Sequence, residues 1–116
     1  MSNHAPLIRA LKKSLRAAAD PVKAPAMQAY MKSSMPYLGV QAPQLRRAIR
    51  EVFAAHQLAS FEEWRDAVLE LWRTARYREE RYAAIELAGY SRYRQFRSMD
   101  ALPMYCLLYT SDAADE

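Results

Sequence analysis

Chemistry has few places to reside in this chain. Its two histidines, His4 and His56, stand far apart, and Cys106 is the single cysteine. No C-x-x-C or H-x-x-x-H spacing is present, so the sequence offers no ligand set for a metal. It also lacks a glycine-rich phosphate loop and a recognisable nucleophile–base arrangement. No cofactor is expected. The paired acids Glu62-Glu63 and Glu79-Glu80 have arginines three residues away. That spacing suits ion pairs on a helix surface better than general acid–base work.

What remains is arginine interleaved with aromatic residues. Trp72, Arg73, Arg76, Tyr77, Arg78, Arg81 and Tyr82 form one block, and Arg92, Tyr93 and Arg94 a second. Guanidinium groups pair with phosphates, and aromatic faces stack on bases or sugars at roughly 1–3 kcal/mol per base. Trp64, Trp72 and Tyr82 keep helical register with aliphatic residues and are expected in a core. The arginines then stay free for a polyanion.

The charge distribution points the same way. All 17 Lys and Arg precede Asp100, together with nine of the 13 acids, so residues 1–99 carry +8 and residues 100–116 carry −4. A basic body favours nucleic acid, because neutralising phosphates releases counterions. The alternative is an ordinary solvated surface.

The elements that must position these groups are helical. Two glycines in 116 residues are too few for the turns of an all-β chain, and 52% apolar residues is ample for one helical core. Leu7, Ile8, Leu11 and Leu15 share a face of a first helix, with Arg9, Lys12, Lys13 and Arg16 mostly on another. Asp20-Pro21 punctuates its end. A second helix is predicted from Ala24 or Pro25 to about Ser33, with Met27, Tyr30 and Met31 along one side. The stretch from Ser34 to Pro43 reads as a loop that packs inward, being apolar.

Pro43 suits the first turn of a third helix ending near His56, with Leu45, Ile49, Val52 and Phe53 inward. Ser60-Phe61-Glu62-Glu63 is a capping box opening a fourth, which carries Phe61, Trp64, Val68, Leu71 and Trp72 on one stripe. A fifth runs from about Arg78 to Leu87, with Tyr82, Ile85 and Ala88 or Gly89 inward. A sixth begins near Asp100. Helix pairs recur at about 35–45 residues, the spacing of HEAT-like repeats, although a compact bundle fits the pattern too. A lone cysteine suits a reducing compartment, and no signal-peptide core or bilayer-spanning run is present. A cytoplasmic protein is expected.

Three segments in order, Ala29-Tyr30-Met31-Lys32, Pro36-Tyr37-Leu38-Gly39-Val40 and Pro43-x-x-Arg46, resemble the opening of the DNA alkylation repair glycosylases (the AlkD type). Glu70-Leu71-Trp72 and Arg78-Glu79-x-Arg81-Tyr82-Ala83-Ala84-Ile85 resemble the family's next block. The similarity spans about Leu7 to Tyr105. It implies an all-α, right-handed superhelix of HEAT-like repeats whose basic concave face cradles double-stranded DNA containing alkylated bases. It also implies a bacterial protein acting as a monomer, associated with the nucleoid when on DNA. The implied reaction is excision of N3- and N7-alkylated purines in base excision repair. Alkylation makes the base a cationic leaving group, so the enzyme need chiefly stabilise an oxocarbenium-like sugar and guide water to it.

Carried over residue by residue, Tyr30 matches a tyrosine that lines the lesion site; its alternative role is a phenol packed between helices two and three. Lys32, Arg46 and Arg47 match positions suited to backbone phosphates. The family's catalytic Trp-Trp-Asp-like segment belongs just after Leu102-Pro103-Met104-Tyr105 and is not found there. From about Cys106 the sequence departs from the family and resembles the translated sequencing-adapter tails that close some metagenomic genes. The alternative is a divergent natural C-terminus. Residues 1–105 are therefore expected to be the N-terminal part of the repeat domain, and 106–116 a non-native tail. Asp112 has no tryptophan beside it and does not substitute for the catalytic aspartate. The chain alone is expected to be inactive, with the superhelix incomplete. The competing expectation is a non-catalytic basic helical-repeat scaffold that binds nucleic acid or protein.

Overall fold

The computed structural model of the chain describes residues 4–115, with side chains described for residues 4–110. Asp112 lies outside the described side chains. All regular structure among the described residues is helical. The order is α1 (His4–Ala17), α2 (Ala24–Met31), α3 (Ala42–Ala55), α4 (Phe61–Arg73), α5 (Arg78–Ala88), two short 3-10 turns (Ser91–Phe96 and Met99–Ala101) and α6 (Leu102–Asp115). α6 passes through Cys106 without interruption. No helix among the described residues is long and apolar enough to cross a membrane.

The helices pair in two stacked layers. α1 packs on α3 and α4 packs on α5, while α1 also meets α4 and α3 meets α5. This is the side-by-side stacking of helix hairpins expected of an all-α repeat. α6 lies against α4, and its Tyr105 hydroxyl donates to the Ala88 carbonyl of α5 at 2.6 Å. The core is continuous from Leu7, Leu11 and Leu15 through Phe53, Trp64 and Leu71 to Leu87 and Met104. Trp64 is fully enclosed, with Phe61, Phe96 and Tyr105 rings around it. Its indole N–H donates to the Leu87 carbonyl at 2.9 Å, so burial leaves no donor unpaired.

The caps are local. Ser60 Oγ accepts from the Glu63 amide at 3.1 Å, and the Glu63 carboxylate accepts from the Ala59 amide at 2.6 Å, starting α4. The segment after α2 turns inward, burying Tyr37, Leu38 and Val40. Gly39 has φ +92°, and a Cβ there would stand 2.1 Å from the Asp20 carbonyl oxygen, so only glycine lets the loop cross the end of α1.

The reading of α5 is corrected. The inward face of α5 is Ala83, Ala84, Leu87 and Ala88 together with Glu79 and Glu80; Ile85 is 39% exposed and Tyr82 half-buried. The helix is rotated because its two glutamates are drawn into the interior by backbone amides. They are therefore not surface ion pairs. None of the residues of α2 is buried.

Candidate functional site

Glu79 organises the region. Its carboxylate is fully buried and accepts the amides of Leu38, Gly39 and Val40 at 2.9, 2.9 and 3.0 Å. A carboxylate with several N–H donors is satisfied without a counter-cation. Glu80 beside it accepts the amides of Arg76 and Tyr77 at 2.8 and 3.1 Å, with the Lys12 ammonium 3.8 Å away. Through these contacts α5 fixes the loop that carries the chain from α2 to α3. The sequence could not reveal this role, because the accepting carboxylate and the donating amides are 39 to 41 residues apart.

Arg78 and Arg81 belong to the same framework rather than to the solvent-facing set. Arg78 is buried, its backbone N–H donates to the Pro36 carbonyl at 2.9 Å, and its guanidinium lies 5.2 Å from the Tyr82 ring centre. Arg81 sits 4.3 Å over the buried Trp72 ring. The Tyr82 hydroxyl meets that of Tyr37 at 2.8 Å. Burial, then the bond to Tyr82, pushes the Tyr37 phenol far above the ordinary tyrosine range, so it stays protonated.

One group of exposed cations lies on α3 and at the two ends of α2. Between Pro21 and Arg50 the chain carries Lys23, Lys32, Arg46, Arg47 and Arg50 and no acidic residue, and all five are exposed. Arg46 and Arg50 stand one turn apart on α3. Arg92 donates to the Phe53 carbonyl at 3.4 Å, nearly one turn further on, and lies 5.9 Å from the Tyr90 ring centre. Arg92 is thus brought to the end of the helix that carries Arg46 and Arg50. Arg50 and the placement of Arg92 were not legible as a set, because only the fold brings the 3-10 turn beside the end of α3.

Arg46 also lines an open, mainly apolar groove of about 280 Å3 between α3 and α5, with Leu45, Ile49, Tyr82, Ile85 and Glu86. Arg47 faces away from it, into a cleft against the end of α1 with Ser14, Ala18 and Glu51. The two adjacent arginines therefore serve different surfaces. Tyr30 is not packed between helices; it is 86% exposed, with Met31 also exposed beside it.

Lys32 closes α2 in the left-handed region, at φ 52° and ψ 40°. Its amide bonds to Ala29 O at 3.2 Å and the Ser33 amide to Gln28 O at 3.1 Å, the pairing of a Schellman cap. Glycine is the residue that adopts this conformation at no steric cost. A side chain there costs about 1–2 kcal/mol. A cation near a helix C-terminus recovers about 0.3–1 kcal/mol, but any position in the last turn would provide that without the strain.

Among the described residues no cluster of His, Cys, Asp and Glu is placed to hold a metal. The arrangement offers exposed Tyr30 and Met31 within an acid-free basic stretch of chain, suited to a polyanion that also offers flat apolar surface. A family model described as DNA alkylation repair enzyme matches residues 11–112. No curated protein matches the chain.

Proposed function

Because the chain belongs to the DNA alkylation repair enzyme family, we propose that its basic α2–α3 surface holds duplex DNA for excision of N3- and N7-alkylated purines. The observation that carries this reading is the acid-free stretch from Pro21 to Arg50, whose five cations are all exposed. Lys32 and Arg46 contact backbone phosphates, and Arg50 and Arg92 extend the track. Arg47 contributes from the neighbouring cleft. Contacts to phosphate set register and salt sensitivity without reading sequence. Tyr30, projecting from α2, meets the DNA near the lesion.

This chain's share of the reaction is binding. Cleaving the glycosidic bond needs groups placed against the developing positive charge on the sugar. Trp64 and Trp72 are both buried and cannot reach a sugar, and Glu79 and Glu80 are consumed by backbone amides. The test is incubation of the purified chain with a labelled duplex containing 7-methylguanine. The expected result is salt-sensitive retention of the duplex without release of free base. Base release would overturn the binding-only role, and absence of binding at low salt would overturn the reading itself.

A further inference from the structure

We propose that the groove between α3 and α5 is a self-association surface, in which a second copy of this chain seats the outer ridge of its own α5. Ile85 stands on that ridge and is 39% exposed. It lines two grooves at once. On one side is the space of about 280 Å3 walled by Leu45 and Ile49 of α3. On the other is a mainly apolar groove of about 190 Å3 walled by Tyr105, Leu108 and Tyr109 of α6. Leu45, Ile49, Ile85 and Tyr109 thus belong to one apolar strip crossing three helices, and Tyr109 is 71% exposed. Single exposed apolar residues are ordinary on a protein surface, whereas a contiguous strip edged by charge marks a contact with another protein.

The charges at the edge select which protein. Arg46 lines the α3–α5 groove from α3, and Glu86 lines it from α5. Both are exposed, and among the described residues neither side chain has an ion-pair partner. A partner of one charge would answer the arginine or the carboxylate and repel the other. A two-fold axis instead brings the same patch of two copies face to face, so that each residue meets its counterpart's complement. The groove supplies both members of such a pair. Arg46 of each protomer meets Glu86 of its partner, once on either side of the axis.

Between these pairs the ridge of each α5 enters the groove of the other copy, the ordinary way in which helices pack. Ile85 then lies against the Leu45 and Ile49 wall of the partner. Arg46 is also the cation assigned above to a phosphate, so a duplex and a second copy exclude each other at this groove. Self-association itself is independent of the DNA-binding reading, and it departs from the monomer that the family resemblance implies.

The test is the mass of the full chain by sedimentation equilibrium without DNA, at concentrations up to about 1 mM, the weak end of specific association. The parent is expected to move from monomer to dimer mass as its concentration rises. Glu86→Arg and Arg46→Glu each place like charges across the axis, and each alone is expected to stay monomeric where the parent dimerises. Both substitutions are at exposed positions, where folding is little affected, and circular dichroism checks this. An equimolar mixture of the two variants is expected to dimerise again, because each then offers the charge that the other lacks. Misfolding of either variant could not produce that recovery. A parent that stays monomeric throughout would overturn the inference and leave the DNA-binding reading standing. So would single variants that dimerise as the parent does, or a mixture of folded variants that stays monomeric.

Discussion

The Glu79 carboxylate accepts the Gly39 amide at 2.9 Å, joining α5 to a loop 40 residues earlier in the chain. That loop lies between α2 and α3, within the acid-free basic stretch from Pro21 to Arg50. The buried acid and the basic surface are thus parts of one construction: the acid holds the loop, and the loop sets how the two helices are presented.

Substituting Glu79→Gln keeps the shape but turns one oxygen into a donor facing backbone N–H groups. Buried amides lose their acceptor, at a cost of about 3 kcal/mol. For a domain of this size the melting temperature should fall by roughly 10 °C. Glu86→Gln, on the exposed side of the same helix, should change stability by less than about 0.5 kcal/mol. Equal effects of the two substitutions in calorimetry would contradict the role given to Glu79.

Gly39→Ala and Gly89→Ala should diverge. A Cβ on Gly39 would meet the Asp20 carbonyl oxygen at 2.1 Å with φ at +92°, whereas one on Gly89 finds its nearest neighbour at 3.7 Å. The first substitution should cost about 3 kcal/mol or more, since both the backbone region and the space are wrong. The second should be neutral or stabilise by about 0.4–1 kcal/mol, by restricting the unfolded chain. Denaturant midpoints of the two variants check this.

Alkaline stability should depend on Tyr37. Burial and its bond to Tyr82 raise this phenol's pKa, and burial raises that of Tyr105. A phenol whose pKa is higher folded than unfolded contributes stability that is complete below the unfolded value, about 10, and is lost as pH rises beyond it. Unfolding free energies measured in urea at increasing pH should therefore decline above about pH 10. Tyr37→Phe should make that decline shallower. An identical decline in the variant would remove Tyr37 as its source.

The legible part of this molecule was its aliphatic periodicity and its local caps. Leu7, Ile8, Leu11 and Leu15 reach the core as their spacing predicts, and Ser60 caps α4 through Glu63. Both signals act within one or two helical turns, so they survive in the linear sequence. Glu79 and Glu80 were misread because their partners are backbone amides, which no sequence pattern marks. That error moved Ile85 to the wrong side of α5. Tyr30 could be placed on a helix but not inside or outside, since its neighbours Met27 and Met31 are apolar whether or not anything packs on them. Arg46 and Arg47 look equivalent as neighbours in sequence, yet a rotation of about 100° per residue sends them to different clefts.

The most direct test of the central claim is the salt dependence of duplex binding by the parent chain and by a variant with Lys32, Arg46 and Arg50 all changed to alanine. Each lost phosphate contact should remove about 0.9 from the slope of log affinity against log salt. The account predicts steep salt dependence in the parent and a slope shallower by about 2–3 in the variant, with its helical content unchanged. A variant that binds with the parent's affinity and slope would show that the α2–α3 surface is not where DNA is held.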